Sequence, residues 1–166
     1  MRNIVLIAHN LRSCHNIGSL LRTADGLGIN KIFLTGYTPY PKTLNDTRLP
    51  HIATKMHKQI QKTALGAEET QNWEHSSDIF TVIDGLKKDG YLIAALEQTS
   101  TSKNLTDWQP VNQVAIIVGR ETEGLEPEII AACDIELEIP MQGKKESFNV
   151  VQAAAMALYH CKYFKI

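Results

Sequence analysis

Residues 139–160 read IPMQGKKESFNVVQAAAMALYH, and few other stretches of the chain constrain the fold as strongly. The stretch begins as the end of a strand, passes through a polar loop and continues as an almost wholly apolar helix. A helix that is apolar around its circumference must be covered on all sides. We therefore expect either a central core helix in a single chain or a helix that partly faces a second subunit. Ser147 is predicted to cap this helix, which leaves free N–H groups for a polar ligand.

Short β-branched or apolar segments recur along the chain and alternate with helical patterns. Helical periodicity lies at residues 17–28 and 78–90. Alternating strands and helices imply crossover connections, so the prediction is an α/β fold with a mainly parallel sheet and helices on both faces. Ligands of such sheets bind beyond the carboxyl ends of the strands. The predicted strands cover residues 3–8, 31–35, 91–96, 114–118 and 135–140.

The length of 166 residues, with 43% hydrophobic and 21% charged residues, fits one domain over residues 1–166. The N-terminus lacks a signal pattern and no window is apolar enough to span a bilayer, so we expect a cytoplasmic protein without a membrane partner. Three cysteines without a CxxC spacing favour free thiols over a disulfide framework or a zinc site. The six histidines have no metal-ligand spacing, and no metal is expected.

Charge is unevenly distributed along the chain although the net formal charge is only -1. Residues 1–62 hold nine Lys or Arg and two acidic residues, whereas residues 63–166 hold eight and sixteen. Concentrated basic side chains are typical of a protein that binds a phosphate backbone, although a solvated surface gives the same pattern. The candidates for phosphate contacts are Arg12, Lys42, Arg48, Lys55, Lys58 and Lys62.

The first polar cluster is NLRSCHNIGSLLRTA, at residues 10–24. Asn16 is predicted at the cap of a helix, and Arg22 lies nearly two turns inside it. An Arg that faces a cleft requires an anionic partner, so Arg22 is a candidate site residue. The neighbouring GLGINK, at residues 26–31, closes a helix where a dinucleotide fingerprint would follow a strand, and it therefore predicts no cofactor site.

Two further clusters follow predicted strands. In VAIIVGRETEGL, at residues 114–125, the apolar strand stops at Gly119, whose lack of a Cβ lets a ligand approach the backbone, and Glu121 follows. This segment has the glycine spacing of a phosphate loop but lacks its Lys-Ser/Thr pair. The third cluster is the polar loop that contains Ser147 and Asn149. Each cluster taken alone has an equally good structural explanation.

The three clusters in this order resemble the motifs of the SpoU/TrmH branch of the SPOUT superfamily of RNA ribose methyltransferases. NIGSLLR (16–22), GRETEG (119–124) and IPMQGKKESFNV (139–150) match N-x-G-x-x-x-R, G-x-E-x-x-G and I-P-M-x-G-x-x-x-S-L-N-V. The resemblance covers essentially the whole chain and includes KTALGAE (62–68) and LEQT (96–99). Phe148 stands where the family most often has Leu, a difference that bears on the shape of the pocket.

The resemblance implies a deep C-terminal trefoil knot whose loops bind S-adenosylmethionine, and a homodimer. Contacts to the cofactor, largely through backbone groups, are implied for Leu96, Glu97, Gly119, Ile139, Met141 and Phe148. Catalytic or positioning roles are implied for Arg22, Asn16, Glu121, Ser147 and Asn149. A guanidinium stays protonated in proteins, so we expect Arg22 to orient and activate the ribose 2′-hydroxyl rather than to remove its proton.

The implied function is transfer of a methyl group to a ribose 2′-hydroxyl of RNA, with tRNA favoured over rRNA. No separate RNA-binding extension is expected, so RNA would contact the surface of the catalytic dimer or an accessory RNA-binding protein. One alternative is a catalytically inactive SPOUT relative that binds RNA, but such a relative should lose Arg22 or the cofactor loops. A second alternative is a small-molecule α/β enzyme, which would not require the basic N-terminal part.

Overall fold

The computed structural model describes residues 2–165 and contains one seven-stranded sheet. The strands are β1 (Asn3–His9), β2 (Lys31–Thr35), β3 (Trp73–Ser76), β4 (Leu92–Leu96), β5 (Lys103–Asn104), β6 (Gln113–Val118) and β7 (Ile135–Glu138). The helices are α1 (Cys14–Leu27), α2 (Pro50–Ala64), α3 (Ala67–Thr70), α4 (Ile79–Lys88), α5 (Pro127–Ala132) and α6 (Val150–Tyr163). The sheet order is β3-β2-β1-β6-β4-β7-β5, and all of its strand pairs are parallel.

The α/β prediction is confirmed, because helices cover both faces of this parallel sheet. Along β1, Ile4, Leu6 and Ala8 belong to the core that contains α1, α2 and α6. The alternate residues Val5 and Ile7 belong to a second core under α4 and α5. Side chains of a strand point to opposite faces in turn, so a run that is apolar at every position fits a central strand. Each fully buried side chain of this size contributes about 1.5–3 kcal/mol of transfer free energy.

All five predicted strands are present, but both edge strands escaped prediction. β3 reads WEHS and is only half-buried, while β5 has two residues, so neither carries a periodic apolar signal. Helices α2, α3 and α5 were also not predicted. No helix within residues 2–165 is long and apolar enough to cross a membrane.

Helices α1 and α2 cross with their backbones in contact at Gly18. A Cβ built on Gly18 would lie 2.2 Å from the Ile60 carbonyl oxygen. Next to this crossing, the Thr63 hydroxyl donates a hydrogen bond to the His15 carbonyl at 2.8 Å. The glycine of NIGSLLR is therefore required by helix packing, and α2 is held firmly against the helix that carries the first motif.

Both predicted helix caps are wrong. At α1 the N-cap is Ser13, whose hydroxyl accepts a hydrogen bond from the Asn16 N–H at 3.2 Å, so Asn16 lies inside the first turn. At α6 the N-cap is Asn149 and not Ser147, because the Asn149 Oδ1 accepts a hydrogen bond from the Val151 N–H at 2.9 Å. Ser, Thr, Asp and Asn all cap well, so neighbouring candidates are not distinguished by residue type alone.

Helix α6 is covered on one side only within the chain described. Its buried residues are Val150, Ala154, Ala157, Leu158 and Cys161. On the outer side, Tyr159 and Tyr163 are 59% and 53% exposed. The prediction of a helix covered on all sides is therefore not met within a single chain.

The three cysteines are free thiols. Burial raises the pKa of the Cys133 and Cys161 thiols to about 12. A thiolate is the reactive form of cysteine, so these two side chains are inert packing residues at neutral pH.

Candidate active site

A cavity of about 300 Å³ opens at the carboxyl ends of the three adjacent strands β6, β4 and β7. Parallel sheets bind ligands at this edge, and the volume lies within the usual range for small-molecule sites. Residues 119–125, which we call the site hairpin, form one wall through residues 119–124, and residues within 146–153 at the start of α6 contribute to another. The cavity is therefore built by the second and third sequence motifs together.

The structure brings five of the six predicted cofactor residues to this cavity. They are Leu96, Glu97, Gly119, Ile139 and Phe148. Met141 is not among the residues that line the cavity within the described part of the chain. It lies half-buried in the loop between β7 and α6, two residues beyond Ile139. Phe148 is exposed, so a change from Leu at this position affects the mouth of the cavity.

The site hairpin closes tightly on itself at two glycines. The Gly124 N–H donates to the Arg120 carbonyl at 3.0 Å, and the φ of 68° at Gly124 lies in the left-handed region that favours glycine. A Cβ on Gly119 would lie 2.8 Å from the Gly124 carbonyl carbon. The returning segment of the hairpin, and not an open path for a ligand, therefore explains why residue 119 is glycine.

Glu97 fixes the site hairpin to the end of β4. Its Oε2 accepts a hydrogen bond from the Leu125 N–H at 2.9 Å, and its Oε1 accepts one from the Gln98 N–H at 3.2 Å. A Cβ on Gly124 would lie 2.2 Å from Glu97 Oε2, so this carboxylate rests directly against the hairpin backbone. Glu97 lines the cavity while its carboxylate holds one wall in place.

The first motif reaches the site through one hydrogen bond. Asn16 Nδ2 donates to Glu121 Oε1 at 3.1 Å, and Glu121 lies at the tip of the site hairpin. Ser147 lines the cavity, whereas the Asn149 side chain is used to cap α6. Arg22 lies on the exposed side of α1 and is not among the residues that line the cavity. The chain thus brings four of the five predicted catalytic residues to the cavity or its edge.

Among the charged residues that line the cavity in the described part of the chain, five are acidic and one is basic. The basic residue, Arg120, pairs with Glu123 at 2.9 Å. An excess of carboxylates favours a cationic ligand. Across residues 2–165, no group of three or more His, Cys, Asp or Glu side chains is arranged to hold a metal ion. The acidic lining residues are Glu97, Glu121, Glu123, Glu138 and Glu146.

Three polar residues behind the site hairpin were not predicted from the sequence, namely His9, Asn10 and Glu126. Burial lowers the pKa of the His9 imidazole, partly offset by the nearby Glu126 carboxylate. Burial alone would raise the pKa of Glu126, but hydrogen bonds from its own backbone N–H and from Asn10, together with His9 and Arg120, lower it. The available signal was the polar pair that directly follows the apolar run of β1.

The predicted phosphate contacts fall mostly on exposed surface. Lys55, Lys58 and Lys62 lie at helical spacing on one exposed side of α2, together with His51. Helix α2 contains no acidic residue among its fifteen. Arg12 and Lys42 are exposed as well.

Arg48 differs from the other predicted phosphate contacts because its donors are already occupied. Its guanidinium donates to Asp46 and to the carbonyls of Tyr40 and Pro41. The group also lies 3.6 Å above the centre of the Tyr40 ring. The Arg48 pair holds the pKa of Asp46 well below its usual range. A phosphate contact by Arg48 stays a prediction, and it requires these loop contacts to open.

Residues 3–159 match the SpoU rRNA Methylase family. The chain belongs to this family. A TrmH family tRNA/rRNA methyltransferase of Staphylococcus aureus (strain COL) is 30% identical to this SpoU chain over 158 residues, which is 93% of this chain and 56% of the relative. The SpoU chain thus spans little more than half the length of that relative.

Solved structures share the fold of this SpoU chain. An RNA 2′-O ribose methyltransferase superimposes with a TM-score of 0.78 at 26% identity, covering 96% of this chain and 55% of that chain. The SpoU methyltransferase AviRb from Streptomyces viridochromogenes, solved with the cofactor AdoMet, superimposes with a TM-score of 0.79 at 20% identity, covering 96% and 56%.

Proposed function

We propose that this SpoU protein transfers a methyl group from S-adenosylmethionine to a ribose 2′-hydroxyl of RNA, with tRNA favoured over rRNA. The observation that carries the proposal is the convergence of three distant motifs on one cavity, where Asn16 bonds Glu121 and Ser147 lines the opposite wall. The names of two relatives support it, because one is a TrmH family tRNA/rRNA methyltransferase and one an RNA 2′-O ribose methyltransferase.

The residues present fit the proposed cofactor. When bound, S-adenosylmethionine supplies a methyl group on a positively charged sulfonium. The excess of carboxylates around the cavity suits a ligand with this charge. Backbone groups after Leu96, at Gly119 and from Ile139 onward would hold its adenosine and methionine portions. Five of the six residues that were predicted to contact the cofactor line this one cavity, which supports their assignment.

The proposed catalytic contribution of the protein is mainly positioning. Asn16 holds the Glu121 carboxylate at the mouth of the cavity by its 3.1 Å hydrogen bond. Arg22 would hold the ribose hydroxyl and a neighbouring phosphate through its planar fork of donors. In the proposed reaction the ribose oxygen would form a bond to the methyl carbon as the bond from that carbon to sulfur breaks, which leaves S-adenosylhomocysteine. The hydroxyl proton would pass to solvent, and the protein keeps the two reactants aligned. Alignment of bound reactants supplies a large part of many rate enhancements.

The proposal includes a homodimer that buries the outer side of α6. Tyr159 and Tyr163 are exposed there with ring centres 4.7 Å apart, and exposed aromatic patches mark interaction sites. Arg22 lies outside the cavity of its own chain, so a second copy would explain how it reaches a reactive site. The trefoil knot predicted for the C-terminal segment stays part of the proposal.

The proposed RNA-binding surface is the basic side of α2. The stripe of His51, Lys55, Lys58 and Lys62 spans twelve residues of helix, and its ends lie about 16.5 Å apart at 1.5 Å per residue. Such a stripe can contact successive phosphates of one strand. Because α2 crosses α1 in backbone contact at Gly18, RNA bound here would keep a fixed position relative to the first motif.

Labelled methyl transfer tests the function. Total RNA from a strain that lacks the gene is incubated with the protein and labelled S-adenosylmethionine, and the product is digested to nucleosides. We expect a 2′-O-methylnucleoside in the tRNA fraction. Binding to RNA without transfer would instead support the inactive RNA-binding alternative, and RNA affinity that does not fall with salt would support the small-molecule enzyme.

Cofactor binding is tested separately by thermal unfolding in the presence of a metal chelator. Saturating S-adenosylhomocysteine should stabilise the protein, because a ligand at a hundred times its Kd adds about 2.7 kcal/mol to the free energy of unfolding. No stabilisation at saturating ligand would remove the methyltransferase proposal.

A further inference from the structure

The site hairpin is held from two sides by carboxylates that belong to different parts of the chain. On the cavity side, Glu97 accepts the Leu125 N–H at 2.9 Å. On the other side, Glu126 Oε1 accepts a hydrogen bond from Asn10 Nδ2 at 3.2 Å and lies 3.6 Å from Arg120 Nη2. Glu126 therefore contacts both the carboxyl end of β1 and the beginning of the hairpin.

The partners of Glu126 are themselves anchored to the sheet. His9 is only 6% exposed, and its Nδ1 lies 2.9 Å from Thr35 Oγ1 at the end of β2. Asn10 adopts a φ of 54°, and its Oδ1 accepts a hydrogen bond from the Tyr37 N–H at 3.1 Å. Motion of Glu126 relative to β1 would therefore break its contacts to His9 and Asn10, which are fixed in turn to residues at the end of β2.

One oxygen of Glu126 is left without a hydrogen bond. Oε2 is buried, and within residues 2–165 its nearest basic group, His9 Nε2, lies 3.6 Å away. That distance is too long for a hydrogen bond. A buried polar atom without a hydrogen bond costs about 1–3 kcal/mol, so Oε2 carries a cost that the contacts of Oε1 must offset. Most buried polar groups have a hydrogen-bond partner, and those that have none are concentrated at functional sites.

We propose that Glu126 is a positioning residue that fixes the site hairpin so that Glu121 meets Asn16. Glu126 follows Glu121 by five positions, and an antiparallel bridge between Arg120 and Gly124 closes the hairpin that carries Glu121. Leu125 is bonded to Glu97 and Arg120 lies beside Glu126, so both ends of the hairpin are held and the movement of its tip is restricted. The inference rests on the proposed role of Glu121 in methyl transfer.

The first test measures hairpin order without any substrate. Amide hydrogen exchange of residues 119–125 should rise about tenfold in Glu126→Ala, because the bonds that close the hairpin open more often. Glu128→Ala is the matched control, since Glu128 is an exposed glutamate two residues away, in α5, and should leave the exchange unchanged. Unchanged exchange in Glu126→Ala would overturn the proposal whatever reaction the protein catalyses.

The second test is a double-mutant cycle on methyl transfer at saturating cofactor and RNA. Glu126→Ala should lower kcat about a hundredfold with cofactor Kd nearly unchanged, because a misplacement of about 1 Å has an effect of that size. Glu126→Gln should recover most of the rate, since an amide can bond both Asn10 and His9. On a Glu121→Gln background, Glu126→Ala should cause no further loss, because it acts through Glu121.

Glu126→Asp keeps the test decisive if the alanine variant does not fold. The aspartate keeps the negative charge, but its side chain is one methylene shorter and its carboxylate lies farther from Asn10 and Arg120. We expect about a tenfold loss of kcat, because the contacts to the hairpin are weaker. Glu126 would have a purely structural role if its substitution lowered kcat by the same factor on the Glu121→Gln background as on the wild-type background. The same conclusion would follow if Glu126→Gln were as slow as Glu126→Ala and Glu126→Asp. Absence of transfer by the wild-type protein would count against the function and leave the exchange result standing.

Discussion

Asn16 Nδ2 lies 3.1 Å from Glu121 Oε1, and this hydrogen bond joins residues 105 positions apart in the sequence. It connects the first turn of α1 to the tip of the site hairpin. Two of the three motifs that resemble the SpoU/TrmH family thus meet directly in one chain, and the cavity that contains the third lies beside them.

Replacing Asn16 by Asp should harm methyl transfer more than replacing it by Ala. The aspartate places a second carboxylate against Glu121, and like charges at this separation repel each other, whereas alanine only removes the bond. We expect about a hundredfold lower kcat for Asn16→Asp and about tenfold for Asn16→Ala. His15→Asp adds the same charge to the adjacent exposed position as a control. A wild-type rate for Asn16→Ala would show that the contact has no role in the reaction.

Gly18→Ala and Gly26→Ala should change stability in opposite directions. Both glycines lie in α1, but a Cβ on Gly18 meets the Ile60 carbonyl oxygen at 2.2 Å, while a Cβ on Gly26 meets nothing within 4 Å. We expect a loss of about 1–3 kcal/mol at Gly18 from forced separation of α1 and α2. At Gly26 we expect a gain of about 0.5–1 kcal/mol from lower entropy of the unfolded chain. Urea unfolding measures both, and equal effects would contradict the close helix crossing.

Lys58→Glu should weaken RNA binding more than Lys88→Glu does. Both lysines are exposed, but Lys58 lies in the basic stripe of α2 and Lys88 lies on α4, under the opposite face of the sheet. Loss of a phosphate contact reduces the slope of log affinity against log salt by about 1. The double variant Lys55→Glu with Lys58→Glu should increase the effect and leave cofactor affinity unchanged. The same salt slope in the Lys58 and Lys88 variants would assign the stripe to solvated surface.

Tyr159→Glu should convert the proposed dimer to a folded monomer. Tyr159 is exposed on the outer side of α6, so a charge there is tolerated by a single chain but not at an apolar interface. Phe80→Glu is the control, because Phe80 is an exposed aromatic residue on α4. Sedimentation velocity gives the result. A wild-type protein that is active as a stable monomer would contradict the dimer.

Arg22→Ala should retain the fold and cofactor affinity but lose nearly all methyl transfer, and Arg22→Lys should recover little, because an ammonium lacks the planar fork. If Arg22 serves the cavity of a second copy, mixing Arg22→Ala with Glu121→Gln subunits should restore about a quarter of the wild-type rate, since half the dimers then hold one intact site. No recovery would place both residues in one chain's site.

The sequence predicted the central strands well and the edges poorly, for a physical reason. Central strands such as β6 are apolar at almost every position and bear an unmistakable signal, whereas β3 and β5 depend on neighbours for their pairing. Glu121 and Gly119 were found because their motif follows an apolar strand. Glu126 was missed because its partners, His9 and Asn10, are more than a hundred residues away, and local patterns cannot reveal such contacts.

Helix caps show a second limit of sequence analysis. Ser13 and Asn149 are residue types that cap a helix as well as Asn16 and Ser147 do, and only the backbone path selects between them. The positions of these residues relative to the cavity depend on that choice. The Asn149 side chain, bonded to the N–H of Val151, is consequently committed to the helix.

Alkaline hydrolysis of RNA methylated by the wild-type protein tests the central claim most directly. Alkali cleaves RNA through attack of a free 2′-hydroxyl, so a ribose 2′-O-methyl group protects the adjacent phosphodiester, whereas a methylated base does not. RNA labelled from S-adenosylmethionine should therefore yield its label in alkali-resistant dinucleotides, and Arg22→Ala should yield no label above background. Label recovered only in mononucleotides would contradict ribose methylation, and equal labelling by Arg22→Ala would contradict the proposed site.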